Sequence, residues 1–141
     1  MGQIKQSIIK KIKAQGYRLT GARLGIINVL AKSQKPLTSP EVWEALKKQG
    51  LKTDRVTVYR ELNFLSAHLF VLVVRLADKA VKYEIQSVHH HHLVCTSCNA
   101  VKDYILDHQL FEQEKKIYQK EKFKVNSHSL EFFGLCQKCQ A

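Results

Sequence analysis

Four cysteines and a run of four histidines are the residues of this chain best suited to chemistry. Cys95 and Cys98 form one CxxC pair and Cys136 and Cys139 a second, while His89, His90, His91 and His92 stand just before the first. A CxxC spacing lets two thiolates converge from one tight turn. Two such pairs give a tetrahedral ion four soft donors and no open position, the ligand set of structural Zn2+ rather than of a Lewis-acid site. No cysteine is left over, and without a secretory signal the thiols are expected to stay reduced, which favours metal over disulfides. Two separate redox CxxC motifs are the competing reading, but neither pair follows a strand-to-helix pattern.

The histidines need a different argument. A tag fragment would sit at a terminus, so the bland alternative is a wet basic run. On a strand over residues 88–95, however, side chains alternate, so His90 and His92 share one face and His89 and His91 the other. Each face then holds half a metal site. Donors available to complete the halves are Glu84, Asp103, Asp107, His108, Glu112, His128 and Glu131. Taken singly, His128 reads as a hydrogen-bonded histidine and Asp103 as a surface charge. Mixed imidazole and carboxylate ligation suits Zn2+, Fe2+, Mn2+ or Ni2+ and does not choose among them.

Several elements must position these groups. Ile4, Ile8, Ile9 and Ile12 predict a helix over 3–15 that stops at Gly16. A second helix follows Thr20 and buries Leu24, Ile27 and Leu30. Thr38 and Glu41 have the form of a capping box opening a third helix through Trp43 to Gly50. Asp54 is an N-cap for a fourth helix, with Val58, Leu62 and Leu65 inside. The period then shifts to that of strands over 70–77 and 80–86, a hairpin turning at Asp78-Lys79. Helices followed by a two-stranded ribbon outline a winged helix-turn-helix, with residues 55–65 as the reader helix. The remainder predicts the histidine strand, a strand over 101–105, a helix over 107–122 with Leu110, Glu114 and Ile117 on one face, and a strand over 123–133. The expected fold class is α+β: a winged helix-turn-helix domain over 1–86 and a small α/β domain with a four-cysteine zinc site over 87–141.

Charge agrees with that division. The net charge is +11, of which residues 1–68 carry +9 (13 basic against 4 acidic) and residues 69–141 carry +2 (10 against 8). The N-terminal half is thus the one suited to a polyanion, although charge alone also fits a well-solvated surface. The longest apolar run, residues 69–74, is far too short to span a membrane, and the N-terminus has neither a signal h-region nor the serine or threonine at position 6 of a myristoylation site. A cytoplasmic chain without membrane attachment is expected.

The combination resembles the ferric uptake regulator family, the Fur, Zur and PerR group of metal-responsive repressors. The resemblance runs through GYRLTGAR at 16–23, RVTVYRELNFL at 55–65, KYE at 82–84, HHHHLVCTSCNAVKDY at 89–104 and HSLEFFGLCQKC at 128–139. It implies a winged helix joined to a dimerisation domain, a homodimer on a palindromic DNA operator, and control by a divalent metal. Cys95, Cys98, Cys136 and Cys139 match the structural zinc ligands. Glu84, His90, His92 and Asp103 match the regulatory site, and His89, His91 and His128 match a further site completed by a helix carboxylate, assigned to Glu112 with His108 still open. Tyr59 and Arg60 match residues that look toward bases: a guanidinium can grip guanine O6 and N7, and a tyrosine ring can pack on a thymine methyl. Arg18 matches a residue near the minor groove, while Thr57 and Lys13 suit phosphates.

Two departures matter. Pro36 stands where many relatives place a histidine that reaches into the regulatory site, and no cysteine stands in the hinge as it does in many zinc sensors. The expected function is a metal-dependent transcriptional regulator of metal homeostasis or peroxide stress genes, with no small-molecule substrate beyond metal ions. The alternative is a constitutive zinc-stabilised nucleic-acid-binding protein. An enzyme is not expected, because no motif pairs an open metal position with a general base.

Overall fold

The computed structural model describes residues 2–75, 80–85, 89–106 and 110–140. The expected turn at Asp78-Lys79 and the candidate donors Asp107 and His108 lie outside them. The chain divides into two compact units, Met1–Val88 and His89–Ala141.

The first unit is built on helices. In α1 (Gly2–Ala14), Ile8 and Ile12 are buried one turn apart. The chain leaves α1 through Gly16 at φ 78°, a left-handed position that costs glycine nothing. α2 (Gly21–Lys32) is capped by Thr20, whose side chain accepts from the Arg23 N–H. It buries Ile26, Ile27, Val29 and Leu30, whereas Leu24, expected inside, is half-buried. The reason is packing: α2 meets α1, α3 and α4, so its apolar contacts spread over more than one stripe.

β1 (Leu37–Thr38) leads into α3 (Ser39–Lys48). Here the capping box forms, with Thr38 N–H donating to Glu41 Oε2 at 2.7 Å and Glu41 N–H to Thr38 Oγ1 at 3.3 Å. α4 (Arg55–Ala67) is capped by Asp54, which accepts from Thr57 N–H at 2.7 Å, and it buries Val58, Leu62 and Leu65. β2 (Leu72–Arg75) and β3 (Val81–Glu84) pair antiparallel, and β1 adds on the far side of β3, giving the order β1-β3-β2. Two residues are too few to show a period, which is why β1 escapes a reading by pattern.

After α4 the chain turns through Leu69 at φ 58°. A side chain in this left-handed conformation costs roughly 1–2 kcal/mol, and the Leu69 side chain, 57% exposed, recovers little by burial. Leu69→Gly is therefore expected to stabilise the chain by about 1 kcal/mol in urea unfolding, after the greater unfolded-state entropy of glycine is subtracted. An unchanged or lower midpoint would show that the turn is not strained.

The second unit is a three-stranded sheet in the order β5-β4-β6, with β4 (His91–Cys95) at its centre. β5 (Val101–Tyr104) pairs antiparallel and β6 (Glu131–Gly134) parallel to β4. A parallel neighbour requires a crossover, which contains α5 (Phe111–Glu121). The expected strand over 123–133 is shorter than its apolar content suggested: α5 ends at Lys122 in a left-handed conformation, and ladder pairing begins only near Glu131. Among the described residues, those buried in this unit are His91, His92, Val94 and Cys95, all on β4, while α5 buries none. Mixed helix and sheet, with a winged helix first and a small α/β unit second, give the expected α+β class.

Candidate metal centres and nucleic-acid interface

The cysteines are brought together by the parallel pairing. Cys95 ends β4 opposite Gly134, and Thr96 N–H donates to the Gly134 carbonyl at 2.8 Å, so the first knuckle is tied to the strand that leads into the second. The first turn closes with Asn99 N–H on the Cys95 carbonyl at 2.9 Å, Asn99 taking φ 57°. The second closes with Cys139 N–H on the Cys136 carbonyl at 2.8 Å. All four Sγ atoms lie within 4.8 Å of one another, and Cys98 Sγ is 3.8 Å from Cys136 Sγ. A tetrahedron with Zn–S bonds of about 2.3 Å has edges of about 3.8 Å, so the donor set and its spacing fit zinc.

Backbone dipoles prepare the cluster. Cys136 N–H donates to Cys95 Sγ at 3.3 Å and, with the Cys98 N–H, brings the Cys95 thiol down to about 6. Cys139 feels the lowering hydrogen bond of Ser97, yet the sulfurs of Cys136, Cys98 and Cys95 push it up to about 12. One thiolate forms readily here; four together require a cation among them.

The histidines divide by parity. His90 and His92 have ring centroids 5.1 Å apart, and Asp103, opposite His92 in the β4–β5 register, places Oδ1 3.7 Å from His90 Nε2 and 3.9 Å from His92 Nε2. On the other side, His89 Nε2 lies 2.9 Å from His128 Nε2, and the donor atoms of His89, His91 and His128 all fall within 4.8 Å of one another. Burial pulls His89 and His91 below the ordinary histidine range, with neighbouring imidazoles adding to the effect, so both favour the neutral form that ligates metal. His91 is hydrogen-bonded to the Leu130 backbone, while its buried Nε2 has no hydrogen-bond partner. An orphaned, buried imidazole nitrogen facing two further imidazoles is the donor a metal ion would satisfy.

The carboxylate that joins this trio is Glu114, whose Oε1 lies 2.6 Å from His128 Nδ1. Glu112, the carboxylate assigned to this site from the sequence, is exposed. The two positions differ by about 200° around a helix, and the face expected to hold Leu110, Glu114 and Ile117 already contained the better candidate. Of the other donors, Glu131 accepts from Ser129 Oγ, and Glu84 lies at the end of β3 opposite Leu72, in the first unit.

Helix α4, expected from the sequence to be the reader helix, presents a distinct surface. Tyr59 is 54% exposed on α4 and Arg60 is exposed beside it, facing away from Val58 and Leu62. Arg18 and Lys13 are exposed as well. Thr57 is more committed than expected, because its hydroxyl lies 3.1 Å from the Asp54 carboxylate. Sequence reasoning missed the support beneath this surface. Arg23 bonds to both oxygens of Glu61, at 2.7 and 3.3 Å, lies 3.8 Å above the Phe64 ring, and donates from Nη1 to the Arg18 carbonyl at 2.5 Å. Tyr17 Oη meets His68 Nε2 at 2.8 Å. The motifs at 16–23 and 55–65 are thus joined by polar contacts that no periodicity announces.

Comparison with known proteins gives a consistent result. The ferric uptake regulator family matches residues 14–133. The ferric uptake regulation protein of Bacillus subtilis is 30% identical over 138 residues, covering 94% of this chain and 91% of the relative. The peroxide-responsive repressor PerR of Staphylococcus aureus is 26% identical over 132 residues, covering 94% and 88%. Among solved structures, the Helicobacter pylori ferric uptake regulator, described as having three functional metal binding sites, superposes with a TM-score of 0.74 at 26% identity, covering 99% of this chain and 93% of that one.

Proposed function

The chain belongs to the ferric uptake regulator family and is a metal-dependent transcription regulator; from that premise we propose that it is a homodimeric cytoplasmic repressor that holds a palindromic operator when its regulatory site is metal-loaded. The observation that carries this reading is the division of the histidine run into two separate donor clusters, His90 and His92 beside Asp103, and His89 and His91 beside His128 and Glu114. A constitutive DNA-binding protein needs neither.

In this reading Glu84, His90, His92 and Asp103 are the regulatory ligands, and His89, His91 and His128 form a further site, with Glu114 bonded to the far nitrogen of His128. A divalent cation supplies these donors with a shared charge partner that binds one conformation better than another. The chain's own residues do the rest. The Asp103 carboxylate faces the His90 and His92 imidazoles, and the hydrogen bond to the Leu130 backbone holds the His91 ring in place. Tyr59 and Arg60 read base edges in the major groove, Arg18 lies near the minor groove, and Thr57 and Lys13 lie against phosphates.

Dimerisation through the second unit is supported by its uncovered apolar side chains. Tyr104, Phe111, Tyr118, Phe132, Phe133 and Leu135 are each between 42% and 66% exposed, more apolar surface than a small monomeric unit usually leaves to water. No helix among the described residues is long and apolar enough to cross a membrane.

The test is operator binding by the zinc-retaining chain with and without Fe2+, Mn2+, Ni2+ or added Zn2+, after a chelator too weak to strip the cysteine cluster. At least one metal is expected to raise operator affinity tenfold or more, a coupling of about 1.4 kcal/mol. Equal affinity throughout would identify a constitutive zinc-stabilised DNA-binding protein instead. Arg60→Ala is expected to lose about 1–3 kcal/mol of operator preference while random DNA is bound as before. Equal loss on both duplexes would remove Arg60 from base reading.

A further inference from the structure

One turn before Tyr59, α4 begins with a cation whose presence its fold does not explain. Arg55 is exposed, and its guanidinium carbon lies 4.5 Å from the ring centroid of Trp43 on α3. Lys47, also on α3, brings its ammonium to 5.1 Å from the same centroid. The ring is fixed at its other edge, where Nε1–H donates to the Thr53 carbonyl at 3.0 Å across the turn between the helices, and its body packs against the core of the first unit. Among the described residues, no carboxylate pairs with Arg55 or Lys47. Two like charges thus share one aromatic ring, and one of them sits at the positive end of a helix dipole, where a cation is unfavourable.

Such an arrangement is poor for folding and well suited to an anion. Stacking on Trp43 holds the guanidinium plane and removes rotamer freedom that an arginine would otherwise lose on binding. It also turns Arg55 toward α3, the helix that in a helix-turn-helix crosses the DNA backbone, whereas Tyr59 and Arg60 continue along the base-reading surface. We propose that Arg55, stacked on Trp43 with Lys47 beside it, binds a backbone phosphate of the DNA duplex, with Trp43 as its positioning residue. This rests on the DNA-binding reading above and deepens it, adding a contact that fixes register without reading sequence.

The experiment is the salt dependence of binding by the full zinc-loaded chain to a random-sequence duplex and to a duplex selected for tight binding by the wild type. For Arg55→Ala, the slope of log affinity against log salt is expected to fall by about 1 per chain on both duplexes, with preference between them unchanged. Trp43→Leu, which keeps bulk but not the π face, is expected to lose much of the same slope, and the double variant little more than Arg55→Ala alone. A lowered melting temperature with an unchanged slope in Arg55→Ala would overturn the proposal, leaving the stack a purely structural contact. Loss of preference with unaltered random-DNA binding would overturn it too, making Arg55 a base reader. Arg55 is exposed, so its variant stays informative even if Trp43→Leu fails to fold. A wild-type chain with no salt-dependent affinity for either duplex would instead sink the DNA-binding reading itself.

Discussion

In the Cys98→Ala chain, residues 89–141 are expected to lose their zinc and their amide protection together, while residues 1–88 keep a cooperative unfolding transition of their own. The argument rests on how little else holds the second unit. Its described buried residues are confined to β4, two of the four being histidines, and α5 contributes none. A sheet of this size with a core one strand wide cannot offset the entropy of ordering some fifty residues at about 1–2 kcal/mol each. Structural zinc binding, worth roughly 10–16 kcal/mol near neutral pH, changes that balance. Hydrogen exchange read separately over the two units, beside zinc content per chain, makes the check. Full protection of β4 and β6 in a zinc-free variant would show that the apolar contacts of the unit suffice.

Glu61→Ala is expected to destabilise the first unit by about 3–5 kcal/mol in urea unfolding, far more than an ordinary surface substitution. Arg23 and Glu61 have side chains only 10% and 17% exposed, and removing the carboxylate leaves a guanidinium inside without its counter-charge. Replacing both partners by methionine is expected to recover most of the loss, since the penalty comes from the stranded charge rather than from absence of the pair. A single-variant loss below about 1 kcal/mol would show that Arg23 finds water or turns outward. Because Arg23 also donates to the Arg18 carbonyl, the single variant is expected to loosen the segment before α2 that presents Arg18.

What the sequence made legible follows from local rules. Thr20, Thr38 and Asp54 cap helices because their side chains and the N–H groups they meet are three residues apart. The histidine faces followed from the two-residue period of a strand, and the cysteine cluster from the spacing of its pairs. What escaped depends on tertiary arrangement. The burial of Ile26 and Val29 in place of a Leu24-centred stripe depends on α2 being covered by three helices. That Glu114 rather than Glu112 meets His128 depends on where the crossover helix begins, which is Phe111 among the described residues. The Arg23–Glu61 pair joins residues 38 positions apart whose types each fit a solvated surface. Residues 122–130 have the apolar content of a strand, but only ladder partners make one, and the partner of β6 is β4.

Strand β4 carries His91, His92 and Cys95 on one rigid ladder held from both sides. The consequence is a hierarchy in time. On the proposed reading, the imidazole clusters would have no scaffold until the thiolates had captured their ion, so a newly made chain would be blind to its signal until it had been charged with zinc. The residence time of that one ion would then set an upper limit on how long any single molecule could go on sensing.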